Sequence, residues 1–169
     1  MSNKLLIATC QFPVSDNIRK NSSYIKKLIK KAASNSADLV HFSETSLSGY
    51  AGVDFDSFDK FNWNLLQEET DNIVHLAKEK NIWIALGSTY MQSAKAIPTN
   101  CVYIISNQGQ IVNRYDKRML TKNDIKFYTK GVDDDISPVN IYGVEIGILI
   151  CYDSSFQEMF ESYKKTNVK

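Results

Sequence analysis

The stretch Gly143-Val144-Glu145-Ile146-Gly147-Ile148-Leu149-Ile150-Cys151-Tyr152-Asp153 restricts what this chain can fold into more than any other. Val144, Ile146, Ile148, Leu149 and Ile150 are strand formers in a short apolar run, the pattern of a strand covered on both faces. The run ends in a cysteine, and Asp153, Ser154 and Ser155 then begin a helix as capping residue types. A cysteine held where a strand meets a helix N-terminus has its thiolate favoured by the partial positive charge there. That position suits a nucleophile. It equally suits a cysteine that only packs, so partners must decide.

The rest of the chain supplies layers for such a strand. Lys4–Phe12 reads as a first buried strand, ended by Pro13. Asp16 or Asn17 can cap a helix through Ser34, with Tyr24, Ile25, Leu28, Ile29 and Ala32 or Ala33 on one face. Ala37–Ser43 is a second strand, and Glu44–Tyr50 a polar, glycine-containing loop at its exit. Residues 51–62 read as a loop carrying aromatic side chains, and Leu65–Lys80 as a second amphipathic helix. Asn81–Met91, Thr99–Ser106 and Gln110–Tyr115 are strands, the last two joined by the hairpin signal Asn107-Gln108-Gly109. A short helix, Phe156–Lys165, follows Cys151. This order predicts an α/β fold with a mixed sheet, crossovers first and hairpins in the middle. The Cys151 strand is expected at its centre, which requires a neighbour from earlier chain or from another molecule.

Length and charge narrow the function. A chain of 169 residues is expected to form one domain, 1–169, with a sizeable core. A net charge of +1 lacks the field that a nucleic-acid or acidic-membrane surface needs. The lysines at 26, 27, 30 and 31 fall on the outer face of the first helix and read as a solvated face. No apolar run approaches a membrane span and no secretory leader is expected. Cys10, Cys101 and Cys151 form no Cys-x-x-Cys pair, which fits a reduced, cytoplasmic compartment.

Cys151 needs an activator, and the chain has two histidines. His75 lies inside the second helix, and His41 alternates with Phe42 in a strand, so a Cys–His dyad has weak support. A metal site of His41 and Glu44 lacks further ligands. The other route is a carboxylate with a cation. Glu44 ends its strand as Cys151 ends its own, and Lys117 stands at a third strand exit in Arg114-Tyr115-Asp116-Lys117-Arg118-Met119-Leu120. A lysine beside a cysteine lowers the thiol pKa, a carboxylate can take the proton, and the same lysine can stabilise an oxyanion.

Three segments, in this order, resemble those of the nitrilase superfamily of carbon–nitrogen hydrolases. Phe42-Ser43-Glu44-Thr45-Ser46-Leu47-Ser48-Gly49-Tyr50 resembles the glutamate segment, Tyr115-Asp116-Lys117-Arg118-Met119-Leu120 the lysine segment, and Gly147–Asp153 the nucleophile segment. The resemblance implies Cys151 as nucleophile, Glu44 as general base, Lys117 as oxyanion residue, and the Tyr152 N–H as a second oxyanion donor. It also places Asp124, before the turn Phe127-Tyr128-Thr129-Lys130-Gly131, where a substrate-positioning glutamate is usual. Ser155-Phe156-Gln157-Glu158 departs from the family's Arg-Phe-Pro-Glu.

The implied fold is an α-β-β-α sandwich with mixed sheets, of which this chain is expected to be the N-terminal portion, lacking the C-terminal part. The implied reaction is hydrolysis of a small linear amide or carbamoyl compound through a Cys thioester, without metal or organic cofactor, releasing ammonia and an acid. Cys151-Tyr152-Asp153 is similar to the small-amide, omega-amidase-like branches, which ranks linear amides first, carbamoyl compounds second and nitriles third. The resemblance also suggests a homodimer contacting through Phe156, Met159 and Phe160. The rival expectation is a catalytically dead, truncated hydrolase fold acting as a binding or scaffold module.

Overall fold

Three parallel strands followed by two antiparallel ones make the sheet on which everything else is mounted. The computed structural model describes residues 4–93, 96–132, 137–164, 166 and 168. Strands β1 (Ile7–Cys10), β2 (Leu39–Phe42) and β3 (Trp83–Tyr90) pair in parallel through helices α1 (Ile18–Ser34) and α2 (Trp63–Lys80). Strands β4 (Thr99–Ile105) and β5 (Ile111–Asp116) then add by hairpins, giving the order β1-β2-β3-β4-β5. The expected mixed sheet, crossovers first and hairpins after, is the one present.

The helices begin where their caps allow. The Asn17 side chain accepts from the Lys20 N–H and the Asn62 side chain from the Leu65 N–H. Each satisfies one of the amides that a first turn leaves free. This is why α2 starts at Trp63, two residues before the first periodic leucine.

Side-chain alternation gives the sheet two unlike faces. Val40, Phe42, Ile84, Leu86 and Ile105 point at Ile18, Ile25, Ile29 and Ala32 of α1 and at Leu66, Ile73, Leu76 and Ala77 of α2. Leu39, Ala85, Ile104 and Tyr115 point the other way. They meet a two-stranded ribbon, β6 (Val139–Ile141) with β7 (Val144–Ile146), residues Ile148 and Ile150, and Met159 of helix α3 (Gln157–Lys164). The layers are therefore helices, sheet, and a small second sheet with its own helix.

Two expectations are corrected here. Lys4–Phe12 is not a buried strand: β1 lies at the sheet edge, with Leu6 and Ile7 exposed. The Cys151 segment is not a central strand either, because among the described residues β7 pairs only with β6 and residues 147–150 join no ladder. What replaces a strand neighbour is one side chain. The Tyr163 hydroxyl donates to Ile148 O at 2.9 Å and accepts from Ile148 N at 3.0 Å. Gly147 permits this, since a Cβ there would lie 3.0 Å from the Tyr163 ring. Periodicity cannot distinguish a ladder from a tyrosine that imitates one.

Candidate active site

The Glu44 turn is pressed into the sheet by a missing side chain. After β2 the chain turns sharply, with Thr45 at φ 48° and Gly49 N–H donating to Thr45 O at 2.8 Å. Gly87 of β3 lies directly beneath, and a Cβ on it would sit 2.1 Å from Ser43 O and 2.8 Å from Thr45 N. The Gly87 carbonyl accepts from Leu47 N at 3.0 Å and from Ser46 Oγ at 3.1 Å. Glu44 is thus fixed at the end of β2 with its carboxylate facing the end of β5.

Lys117 meets it there. Its backbone continues β5 by donating to Asn100 O at 2.8 Å, and its side chain is 1% exposed. The ammonium bonds Glu44 Oε1 at 2.7 Å and Asp124 Oδ2 at 2.9 Å. Burial alone would push Lys117 down, but the hydrogen bonds and charges of the two carboxylates hold it above the usual lysine value. Asp124 is fully buried in a short 3-10 turn, Asp124–Lys126. It accepts from the Tyr50 hydroxyl and, at 2.8 Å, from Thr121 N. Burial would raise its carboxyl, yet these bonds and Lys117 keep it below the usual aspartate value. Burial, with the Asp124 hydrogen bond and the charges of Asp124 and Glu44, pushes the Tyr50 hydroxyl far up, so it remains a donor.

Cys151 is delivered by a bent backbone that another aspartate holds. Its φ is 47°, a left-handed conformation that costs a non-glycine residue on the order of 1–3 kcal/mol. Asp153, wholly buried, accepts from Ile150 N at 2.9 Å, Met119 N at 2.7 Å, Arg118 N at 3.2 Å and the Tyr115 hydroxyl at 2.8 Å. One carboxylate therefore ties the cysteine turn to the lysine segment. The expected helix cap at Asp153 is in fact this cross-link. The chain runs from Cys151 to Ser155 as a 3-10 turn, and α3 begins two residues later at Gln157.

Cys151 lies close enough to Glu44, Lys117 and the Tyr152 N–H for each to act on its thiol. The expectation of a lowered thiol pKa is corrected. Desolvation and the Glu44 charge push Cys151 up, outweighing Lys117 and the Tyr152 N–H. Burial is the larger cause, and Lys117, already shared by two carboxylates, does not offset it. A raised value keeps this cysteine a thiol at rest.

Glu44, Lys117 and Cys151, drawn from three distant segments, are thus brought together, with Tyr152 beside the sulfur. Asp124 reaches Lys117 rather than open space. Three residues were not singled out from sequence: Asn100, whose amide donates to Glu44 Oε1 at 2.7 Å; Tyr50, on Asp124; and Asp153 as a clamp. Tyr50 and Asp153 lie inside the motif segments, but Asn100 sits in a strand outside them, and no local signal marked it. His41 is elsewhere, lining a cleft with Ile7, Leu39 and Ile148. Of the three suggested dimer contacts, Met159 is core, Phe156 packs against that core, and Phe160 is exposed.

Comparison with known proteins matches residues 6–168 to the family described as carbon-nitrogen hydrolase. Nitrilase homolog 2 of Dictyostelium discoideum is 29% identical over 170 residues, covering 96% of this chain and 51% of the relative. An omega-amidase of Xenopus tropicalis is 26% identical, covering 96% of this chain and 60% of its own. Among solved structures, an amidase from Nesterenkonia sp. AN1, showing the result of Michael addition of acrylamide at the active-site cysteine, superposes with TM-score 0.88 at 14% identity. It covers 98% of this chain and 65% of that one. The likeness in fold is to nitrilase-type structures, and the chain spans about half the length of the first curated relative.

Proposed function

The chain belongs to the carbon–nitrogen hydrolase family, and from that premise we propose that it hydrolyses the C–N bond of a small linear amide, or next a carbamoyl compound, through a Cys151 thioester. The observation that carries this reading is the Glu44–Lys117 ion pair at 2.7 Å, with the Cys151 thiol near enough to feel both charges. Amidase names among the relatives support the general reaction.

In the proposed sequence the Cys151 sulfur attacks the amide carbon as Glu44 takes the thiol proton. Lys117 has three N–H groups and spends two on Glu44 and Asp124, which leaves one for the developing oxyanion. The Tyr152 N–H is the second donor. Glu44 then passes its proton to the leaving nitrogen, the C–N bond breaks, and ammonia departs from the thioester. Water attacks the acyl carbon with Glu44 again as base, the thiol leaves with that proton, and the acid is released. This chain's own groups supply every proton transfer.

The test is ammonia release from short linear amides by the full-length protein and by Cys151→Ala and Lys117→Ala. Turnover in the parent and its loss in both variants are expected; a variant that keeps turnover sinks the mechanism. A second reading, an inert hydrolase fold used for binding, draws on one observation. The sheet face opposite α1 and α2 bears an apolar cleft of about 310 Å³ between Ile7, Leu39, Val102 and the 146–149 segment. Selective labelling of Cys151 over Cys10 and Cys101 favours the enzyme, and equal labelling in folded protein favours the module. The reading extends to a cytoplasmic homodimer with Phe160 in the contact, which sedimentation of the full-length protein at monomer mass would remove.

A further inference from the structure

We propose that Asn100 is a positioning residue that holds the Glu44 carboxylate in the one orientation from which it can take the Cys151 proton. This rests on the reading of Glu44 as general base. Two donors converge on a single oxygen: Asn100 Nδ2 and Lys117 Nζ each lie 2.7 Å from Glu44 Oε1. Between them they occupy that oxygen's lone pairs and leave Oε2 without a bond from either donor, free to act as the base. Lys117 alone would not fix the rotation, because it is a rotatable point charge also bound to Asp124.

Asn100 is fully buried, and its own Oδ1 has no hydrogen-bond partner among the described residues. A buried, unpartnered acceptor is unfavourable, so the amide is not there to complete a structural network. Reversing the amide would set Oδ1 against the Glu44 carboxylate, which the charge forbids. The side chain is kept for the one bond that its NH₂ makes. The strand also couples it to the lysine, since the Lys117 N–H donates to Asn100 O at 2.8 Å. Base and cation are thus referred to one residue of β4.

The experiment is the pH profile of Cys151 alkylation by iodoacetamide, read by peptide mass spectrometry on the chain as it stands. Sulfur displaces iodide, a C–S bond forms, and the thiol proton goes to Glu44 or to water. With the thiol pushed up, reaction near neutral pH runs through Glu44, giving a plateau where an unassisted thiol would climb steadily with pH. Asn100→Leu, similar in size and without a donor, is expected to lower the plateau about tenfold with Glu44 intact. Asn100→Asp sets a second carboxylate against the first, so the acid limb shifts upward by about one pH unit. A folded Asn100→Leu with its plateau within about twofold of the parent, or an Asn100→Asp limb that does not move, overturns the proposal. Glu44→Gln separates the two failures: a plateau that survives it removes the general-base reading beneath the proposal. A purely structural asparagine would change melting without moving the profile.

Discussion

Removing the Lys117 charge by Lys117→Met tests the electrostatic core of the site. The ammonium is 1% exposed and lies between a fully buried Asp124, at 2.9 Å, and Glu44, at 2.7 Å. Methionine fills a similar volume, so the loss is of charge rather than packing. Asp124 would keep the Tyr50 hydroxyl and the Thr121 N–H but lose its cation. Breaking a buried pair from one side costs about 3–5 kcal/mol, because the remaining charge stays buried. At about 2–4 °C per kcal/mol for a chain of this size, the melting temperature should fall by roughly 6–20 °C at pH 7.

The pH dependence gives the sharper check. Asp124 is held below its usual value in the parent, so its contribution is present above the unfolded carboxylate value and is lost as pH falls through the folded one. In Lys117→Met the same carboxyl, buried and unpaired, takes up its proton at higher pH. The deficit against the parent is therefore widest near neutrality and narrows as pH falls toward about 4. Denaturation curves of both proteins across that range give the difference directly. A deficit below about 1 kcal/mol, or one that does not change with pH, would refute the reasoning.

Three further outcomes follow from the same contacts. Gly87→Ala should unfold the Glu44 turn or lower the melting temperature markedly, because its Cβ meets Ser43 O at 2.1 Å; an unchanged melt shows that the turn gives way freely. Tyr163→Phe removes both bonds to the Ile148 backbone and should cost about 1–3 kcal/mol, with faster hydrogen exchange at the Ile148 amide; unchanged exchange shows that the tyrosine does not stand in for a strand. Glu44→Gln should lower the Cys151 thiol pKa, since it removes a charge that raises it. Titration of the thiolate absorbance checks the sign, and a rise contradicts the site's charge balance.

The alternation of strand and helix signals, a helix cap at Asp16 or Asn17 and the Asn107-Gln108-Gly109 turn were readable because each is a local preference acting over a few residues. The three motif segments were readable for the same reason: each is a short local pattern carrying its candidate group at a fixed place. Asn100 was not, because a bond between β4 and the end of β2 has no signature in either strand. Nor was the role of Asp153, whose four bonds reach from its own turn to Tyr115, Arg118 and Met119.

The sequence by itself determined the α/β order and marked Glu44, Lys117 and Cys151 as candidates, because periodicity, capping and motif chemistry are written along the chain. Only the tertiary structure decided that β1 is an edge, that Tyr163 substitutes for a strand neighbour, and that the Cys151 thiol is raised rather than lowered. Those outcomes depend on which charges and polar groups end up within a few ångströms of one another. Desolvation and Coulomb energy at that range are properties of the assembled neighbourhood, not of any segment that enters it.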